Sequence, residues 1–297
     1  MFPDFPKGAT IPSILAAWEQ VGGPRLRSRN KWGSSVIHPA GAGLYGKELR
    51  RFAEDHFRDT LSIEELWRHH SLIPIHLSLY DMNDRARAEK VRQSWKKSDR
   101  FLTNFGAVRL CPFCVEEDIQ RYGCGHWRRE HQLRHVSICT RHGVELRDRC
   151  VTPCCDTAFG TIPRLLPSQP CPACKGNLSA NVEPEVAGDG YTSFCKLFTD
   201  ALEMSIPEVT PGNRGSLLAF GYDVCGGQPA DLRPMLLDWL GARAPHTLNA
   251  VEIAVSWLMK PELTQLMLPV LPSWFLLAAF KRHVEGPPTS PPEHHWH

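Results

Sequence analysis

Apolar and polar residues recur at helical spacing in the N-terminal third of the chain. The pattern predicts a short helix near residues 14–20 and a second within residues 47–58. A further helix is predicted to begin after Ser62, which forms a capping box with Glu65, and to run to about His70. Two short helices in succession are typical of a helix-turn-helix, although many paired helices bind no DNA.

A strongly basic helix is predicted next, over residues 84–98. Ala88, Val91 and Trp95 form a narrow apolar stripe, and lysines and arginines surround it. Lys96 and Lys97 are candidates for contacts with DNA phosphates, since such contacts give affinity without sequence selection. A solvated basic face explains the same pattern.

The C-terminal part of the chain returns to a helical pattern and shows little chemistry. It predicts a linker over residues 181–190, an amphipathic helix over 194–202, two helices over 230–240 and 248–259, and a last apolar helix over 273–284. Residues 286–297 are rich in Pro and His, and we expect them to be disordered.

Cysteine and histidine spacing adds metal-binding units to this helical picture. Cys111 and Cys114 are separated by two residues, as are Cys139 and His142, and each pair can hold one side of a tetrahedral ion. These residues form the first set, with three thiolates and one imidazole. Such a set completes the coordination of a structural zinc ion and leaves no position for a substrate.

A second set follows between residues 150 and 174. Cys171 and Cys174 repeat the Cys-Pro-x-Cys spacing, and their partners must come from Cys150, Cys154 and Cys155. Aligning the proline of each knuckle favours Cys155 as the ligand and makes Cys154 the spacer, with the opposite choice as the alternative. Cys150 completes the set, so we expect two structural zinc ions per chain.

These patterns together predict a mainly α protein with small zinc ribbons. The expected regions are a helical N-terminal region (1–100), a tandem zinc-binding domain (101–180), a C-terminal helical domain (181–285) and a disordered tail (286–297).

Charge is unevenly distributed along the chain. Residues 1–175 contain 27 Lys and Arg against 19 Asp and Glu, whereas residues 176–297 contain 7 against 13. The basic front suggests a polyanion such as DNA as a partner, and the acidic rear suggests a protein-facing or solubilising role. A chance imbalance between solvated surfaces is the alternative explanation.

The sequence also predicts the compartment. Its N-terminus has no apolar segment typical of a secretory signal, and its most apolar run, residues 263–280, is interrupted by polar residues and prolines. We therefore expect a cytoplasmic protein without a membrane contact. Thiols stay reduced there, which favours metal ligands over disulfides.

The segment between the halves of the first set contains a longer motif. Cys-Pro-x-Cys is followed by Trp-Arg-Arg-x-His-Gln-Leu over residues 127–133 (the signature segment), then by Cys-x-x-His-Gly and Leu146. This combination, within residues 109–178, resembles the TniQ family of transposition target-selection proteins. The resemblance implies tandem zinc fingers, helical DNA-binding elements and partnership with an AAA+ ATPase regulator of the transposase (TniB- or TnsC-like).

The resemblance implies an adaptor with DNA and the ATPase regulator as its partners. The residues themselves predict that it is not an enzyme, because both metal sets are complete and no nucleophile lies in a recognisable setting. Arg128, Arg129 and Arg134 are the predicted phosphate contacts, followed by Lys96 and Lys97. A CRISPR effector complex and a second copy of the chain are further candidate partners.

Two other functions are compatible with parts of the sequence. A zinc-ribbon transcription regulator would also combine zinc sites with basic helices. A zinc-dependent nuclease or hydrolase is suggested by His131 and His135, four residues apart, beside Glu130. In zinc proteases, however, the glutamate that activates water follows the first histidine, and here it precedes it.

Overall fold

A computed structural model describes residues 4–22, 54, 57, 61–72, 74–75, 78, 108–159, 165–179, 188–203, 206, 209–210, 212–241, 247–260 and 271–286. The chain divides into two compact units. Unit 1 comprises Met1–Ile73 and Lys90–Glu185, and unit 2 comprises Pro74–Glu89 and Val186–His297. The described part is mainly helical and forms isolated β-bridges but no strands, which confirms the predicted fold class.

Unit 1 combines short helices with irregular, metal-binding chain. Its described helices are α1 (Ile11–Gln20), α2 (Ile63–His70) and α3 (Pro112–Tyr122), with a 3-10 turn at Arg129–Gln132. Isolated antiparallel bridges connect the irregular segments, and one of them pairs Ala9 with Arg128. The N-terminal segment is therefore hydrogen-bonded directly to the signature segment.

Helices α1 and α2 confirm the sequence patterns that predict them. Pro12 occupies the first turn of α1, where its missing N–H costs nothing. Helix α2 begins with the predicted capping box: the Glu65 amide donates to Ser62 Oγ at 3.1 Å, and the Ser62 amide donates to Glu65 Oε2 at 2.8 Å. Accepting hydrogen bonds from the amide and the hydroxyl of Ser62 lowers the pKa of the Glu65 carboxyl group.

Unit 2 is a group of helices packed around aromatic side chains. Its helices are α4 (Asp189–Asp200), α5 (Arg214–Val224), α6 (Pro229–Leu240), α7 (Leu248–Met259) and α8 (Leu271–Glu285). Helix α8 packs on α4, α5 and α7. In this core Trp257 stacks on Trp274 with ring centroids 4.1 Å apart, and Phe198 meets Phe275 edge to face at 4.9 Å.

Four of these five helices confirm the predicted ones, and α5 is an addition. Its apolar residues form no clear stripe, and it contains Gly215 and Gly221, which lower helix propensity. The helix forms because tertiary packing outweighs that cost. A Cβ atom at Gly221 would lie 3.3 Å from the side chain of Leu258 on α7, so the glycine allows a close approach between the two helices.

Several predicted elements fall outside the described residues. They are the helix at 84–98 with Lys96 and Lys97, the tail at 287–297, and most of the helix at 47–58. None of the helices in the described ranges is long and apolar enough to cross a membrane.

Candidate metal centres and the segment that supports them

The first set assembles as its spacing predicts. The donor atoms of Cys111, Cys114, Cys139 and His142 lie within 4.8 Å of one another. Nδ1 of His142 is 3.4 Å from each of the three sulfurs, and the sulfurs of Cys114 and Cys139 are 3.7 Å apart. Sulfurs about 2.3 Å from a tetrahedral zinc ion would be roughly 3.8 Å apart, so the geometry fits a four-coordinate ion.

The first Cys-x-x-Cys pair lies at the start of a helix. Cys111 is the N-cap of α3, Pro112 is the first helical residue, and Cys114 lies in the first turn. The free N–H groups and the dipole at a helix N-terminus favour negative charge, so this position stabilises thiolates. The second half is a tight turn in which Gly143, at φ 68°, donates its N–H to the Cys139 carbonyl at 2.7 Å.

Outer-shell contacts orient the imidazole of His142. Its Nδ1 faces the sulfurs, and its Nε2–H donates to Oε1 of Glu117 at 3.1 Å. Arg141 donates to the other oxygen of the same carboxylate at 2.7 Å. Burial opposes ionisation of this carboxyl group, but the bonds from His142 and Arg141 lower its pKa overall. Such carboxylate–histidine pairs fix the tautomer that binds a metal.

Replacing Glu117 with Ala should therefore weaken metal binding by the first set. Loss of an outer-shell partner typically reduces metal affinity by about 10- to 100-fold. Competition with a chromogenic chelator measures this change. Glu116→Ala removes the neighbouring exposed carboxylate and should leave the affinity unchanged; equal affinities for the two variants would show that Glu117 does not orient His142.

The sulfurs of the second set also lie close together, and they include that of Cys155 and not that of Cys154. The sulfurs of Cys150, Cys155, Cys171 and Cys174 lie within 4.8 Å of one another. Cys150 is 3.6 Å from Cys174, and Cys155 is 3.8 Å from Cys171, as expected for a tetrahedral site. Cys154 is exposed at φ 64°, in the left-handed region, so it serves as the turn residue that brings Cys155 inward.

Metal content should distinguish the two neighbouring cysteines. Cys155→Ser should reduce the number of ions per chain from two to one, because it removes a ligand of the second set. Cys154→Ser should retain both, because the Cys154 side chain is exposed. Elemental analysis of the two reduced variants measures their metal content. Loss of an ion from Cys154→Ser alone would show that Cys154, and not Cys155, is the ligand.

The signature segment anchors the core of unit 1. Trp127 is 1% exposed and lies in the apolar cluster that also contains Cys150 and Cys171. Its Nε1–H donates to the Leu165 carbonyl, and its amide donates to Ser13 Oγ at 2.9 Å. One residue therefore connects α1, the surroundings of the second set and the signature segment.

Arg128 and Arg129, two of the predicted phosphate contacts, are buried. Arg128 is 8% exposed and donates to Oδ1 of Asp118, also buried, at 2.5 Å. Against the effect of burial, the carboxylates of Asp118 and Glu130 raise the pKa of Arg128, which stays a cation. Arg129 is 1% exposed and donates to the carbonyls of Arg68 and Ser71 at 2.6 and 2.8 Å, which caps the C-terminal end of α2.

Gln132 pairs with backbone groups on both sides of its amide. Its Oε1 accepts from the Arg109 amide at 2.9 Å, and its Nε2 donates to the carbonyls of Arg109 and Arg128 at 2.8 Å each. The guanidinium of Arg109 in turn donates to the carbonyls of Leu133 and Val136. These bonds hold the chain before Cys111 against the signature segment.

The other predicted site residues have different surroundings. Arg134 is exposed, so it is accessible to a phosphate. Lys96 and Lys97 lie outside the described residues, and their predicted role stays a prediction. A phosphate contact by Arg128 or Arg129 would require the guanidinium to leave its partners inside the protein.

Two buried histidines are neutral at physiological pH. Burial lowers the pKa of His70 to about 4, and its Nδ1 lies 2.8 Å from the Ala9 carbonyl. Burial and the neighbouring Arg128 cation lower the pKa of His126 to about 4. Neither side chain can therefore attract DNA as a cation near pH 7.

An open cleft of about 380 Å³ lies along α3 beside the first set. Arg121, Arg128 and Arg141 line it together with Glu117 and Asp118. Asp118 is paired with Arg128, and Glu117 with Arg141. No local spacing indicates these pairs, because the partners are 10 to 24 residues apart in the chain.

Comparison with known families supports the resemblance in the signature segment. The sequence model of the TniQ family matches residues 34–146, a little over a third of the chain. The match contains the first set and the signature segment, begins well before Arg109 and ends before the second set. It confirms the resemblance: residues 34–146 match the domain of the TniQ family, a domain associated with transposition target selection. No curated protein matches the chain.

Proposed function

We propose, from the TniQ domain as premise, that this chain is an adaptor that selects targets for DNA transposition. It binds DNA or a DNA-bound targeting complex and recruits an AAA+ ATPase regulator of the transposase. The observation that carries the proposal is the family match, which contains the first set and the signature segment. The contacts of that segment hold the TniQ domain together, so its partners bind other surfaces of the chain.

Both metals are zinc in this proposal. Cysteine and histidine donors in tetrahedral geometry are the ligands of structural zinc, and four protein ligands leave no open coordination position. The ions then stabilise the fold and do not activate water. The adaptor is consequently a zinc protein without zinc catalysis.

The contacts of Glu130 and His131 support a non-enzymatic role. Both lie in the 3-10 turn of the signature segment. Glu130 is 3.8 Å from Arg128, and Nε2 of His131 is 3.8 Å from the sulfur of Cys114. A hydrolase would need these groups to converge on one metal-bound water. Within the described residues, only the two sets bring together ligands suited to a metal ion.

DNA contact is assigned to cations outside the buried part of the signature segment. Arg134 is the exposed arginine of the three predicted ones, and Lys96 and Lys97 belong to the basic stretch before the first set. These three residues are the proposed set of phosphate contacts. They give affinity for the backbone of DNA, whereas the targeting complex or other residues supply the choice of site.

Removing these three charges should make DNA binding less dependent on salt. Each neutralised phosphate contributes about −0.9 to the slope of log affinity against log salt, so Lys96→Ala, Lys97→Ala and Arg134→Ala together should make the slope shallower by roughly 2 to 3. Fluorescence anisotropy over a salt series measures the slope. Lys260→Ala, an exposed charge in unit 2, is the control; an unchanged slope in the triple variant would place the DNA surface elsewhere.

A pull-down with the AAA+ ATPase regulator of the same transposition system tests recruitment. The zinc-loaded full chain should retain the regulator, with and without DNA. Retention of a CRISPR effector complex in a parallel arm would identify the targeting partner. Failure to retain the regulator under any of these conditions would contradict the adaptor function, and gel filtration of the same samples would establish whether the chain is a homodimer.

A further inference from the structure

His131 is the residue of the signature segment whose side chain is directed to a metal ligand. Trp127 and Leu133 are packed in the interior of unit 1, and Arg128, Arg129 and Gln132 bond to groups elsewhere in the same unit. The imidazole of His131 is 3% exposed, and its Nε2 lies 3.8 Å from the sulfur of Cys114.

The first set needs such a donor because of its charge. A zinc ion with three thiolates and one neutral imidazole carries a net charge of −1. The three cysteines are each 1% exposed, so water does not solvate this charge. A buried charge is costly unless hydrogen bonds reach it, and N–H groups directed at the sulfurs supply them.

Among the described residues, two side chains from outside the first set reach the sulfur of Cys114. Nη1 of Arg141 lies 3.8 Å from it, but the Arg141 side chain is 48% exposed and also pairs with Glu117. The imidazole of His131 is buried at the same distance. Solvent therefore screens the interaction of His131 with the Cys114 sulfur less than that of Arg141.

We propose that His131 donates its Nε2–H to the Cys114 thiolate and is a positioning residue of the first metal centre. The bond disperses the charge of the thiolate, holds its sulfur in place and lowers its reactivity toward electrophiles. The inference rests on the zinc assignment of the proposed function. It gives the histidine of the signature segment a role in retaining the metal.

Two substitutions separate the hydrogen bond from the space that the ring fills. His131→Leu fills the site without an N–H, and His131→Gln places an amide N–H donor in nearly the same position. Zinc content is measured first on the full chain. The rate of zinc transfer to a chelator and the alkylation of Cys114 by iodoacetamide, followed by peptide mass spectrometry, are then measured. Alkylation of Cys171 and Cys174 in the second set is the internal control.

The proposal predicts that His131→Leu releases the first zinc about 10- to 100-fold more readily, as expected for the loss of an outer-shell partner. Cys114 should be alkylated faster, Cys171 and Cys174 should be unchanged, and His131→Gln should resemble the original chain. If both variants behave like the original chain, or if both lose zinc equally, the proposal is wrong. If His131→Leu does not fold, the Gln variant decides: rapid zinc loss from it overturns the proposal, and retention supports it. Absence of zinc from the unaltered chain would instead contradict the zinc assignment.

Discussion

Cys111→Ser should unfold the metal-binding part of unit 1 and should not act as a selective loss of function. Structural zinc contributes an apparent binding free energy of about 10–16 kcal/mol in small zinc folds, whereas an entire domain is stable by only about 5–15 kcal/mol. Cys111 is also the N-cap of α3, and its Sγ lies 3.4 Å from Nδ1 of His142. Its loss therefore affects both the start of the helix and the first set.

Elemental analysis, thermal unfolding and limited proteolysis measure this effect. Cys111→Ser should contain at most one zinc ion per chain, lose the cooperative transition of unit 1 and be cleaved near residues 108–150. Cys154→Ser, an exposed cysteine beside the second set, is the matched control and should retain both ions. Two ions and an unchanged transition in Cys111→Ser would contradict the assignment of the first set.

Arg129→Ala should be strongly destabilising, although arginines in DNA-binding proteins are usually considered for phosphate contact. The substitution removes the charged donor to the carbonyls of Arg68 and Ser71. Hydrogen bonds from charged groups contribute about 1.5–3 kcal/mol each, so the loss of two should decrease the free energy of unfolding by roughly 3–6 kcal/mol. Arg129→Lys should recover part of this, because both bonds come from a single nitrogen, Nη1, and an ammonium group on a different stem replaces that nitrogen only partly.

Urea denaturation of the full chain measures the change, with Arg134→Ala as control. Arg134 is exposed, and its replacement should change the free energy of unfolding by less than about 0.5 kcal/mol. The two substitutions should therefore affect different assays: Arg129→Ala should change the stability, and Arg134→Ala should change the salt dependence of DNA binding. Equal stabilities for the two variants would indicate that the guanidinium of Arg129 is available to a ligand.

Local features of this fold could be predicted from the sequence because short spacings determine them. The Cys-x-x-Cys and Cys-x-x-His spacings predict the first set, and a proline alignment predicts Cys155 over Cys154; the fold brings the donor atoms together in these same groups. The capping box at Ser62 and the apolar spacing of unit 2 place most described helices correctly. Each of these signals is contained within a few residues of chain.

Contacts between distant segments could not be predicted in the same way. Arg128 and Arg129 have the composition of a phosphate-binding pair, but Asp118 and the end of α2 engage them. Their partners are 10 to 61 residues away, and no periodicity indicates such a pairing. The contact between Glu117 and His142 could not be predicted either, because only the folded chain brings the two side chains together. Helix α5 was missed since its packing on α7 and α8 outweighs a weak local pattern.

Mapping insertion sites in a reconstituted transposition reaction tests the adaptor function most directly. The transposase and its AAA+ regulator are combined with target DNA, with or without the zinc-loaded chain, and insertions are sequenced while donor-strand cleavage is measured separately. The account predicts that insertions concentrate at the target only when the chain is present, with the rate of strand cleavage by the transposase unchanged. Strand cleavage by the purified chain alone, in Mg²⁺, Mn²⁺ or Zn²⁺, that disappears with Glu130→Gln would contradict it and identify the chain as a nuclease.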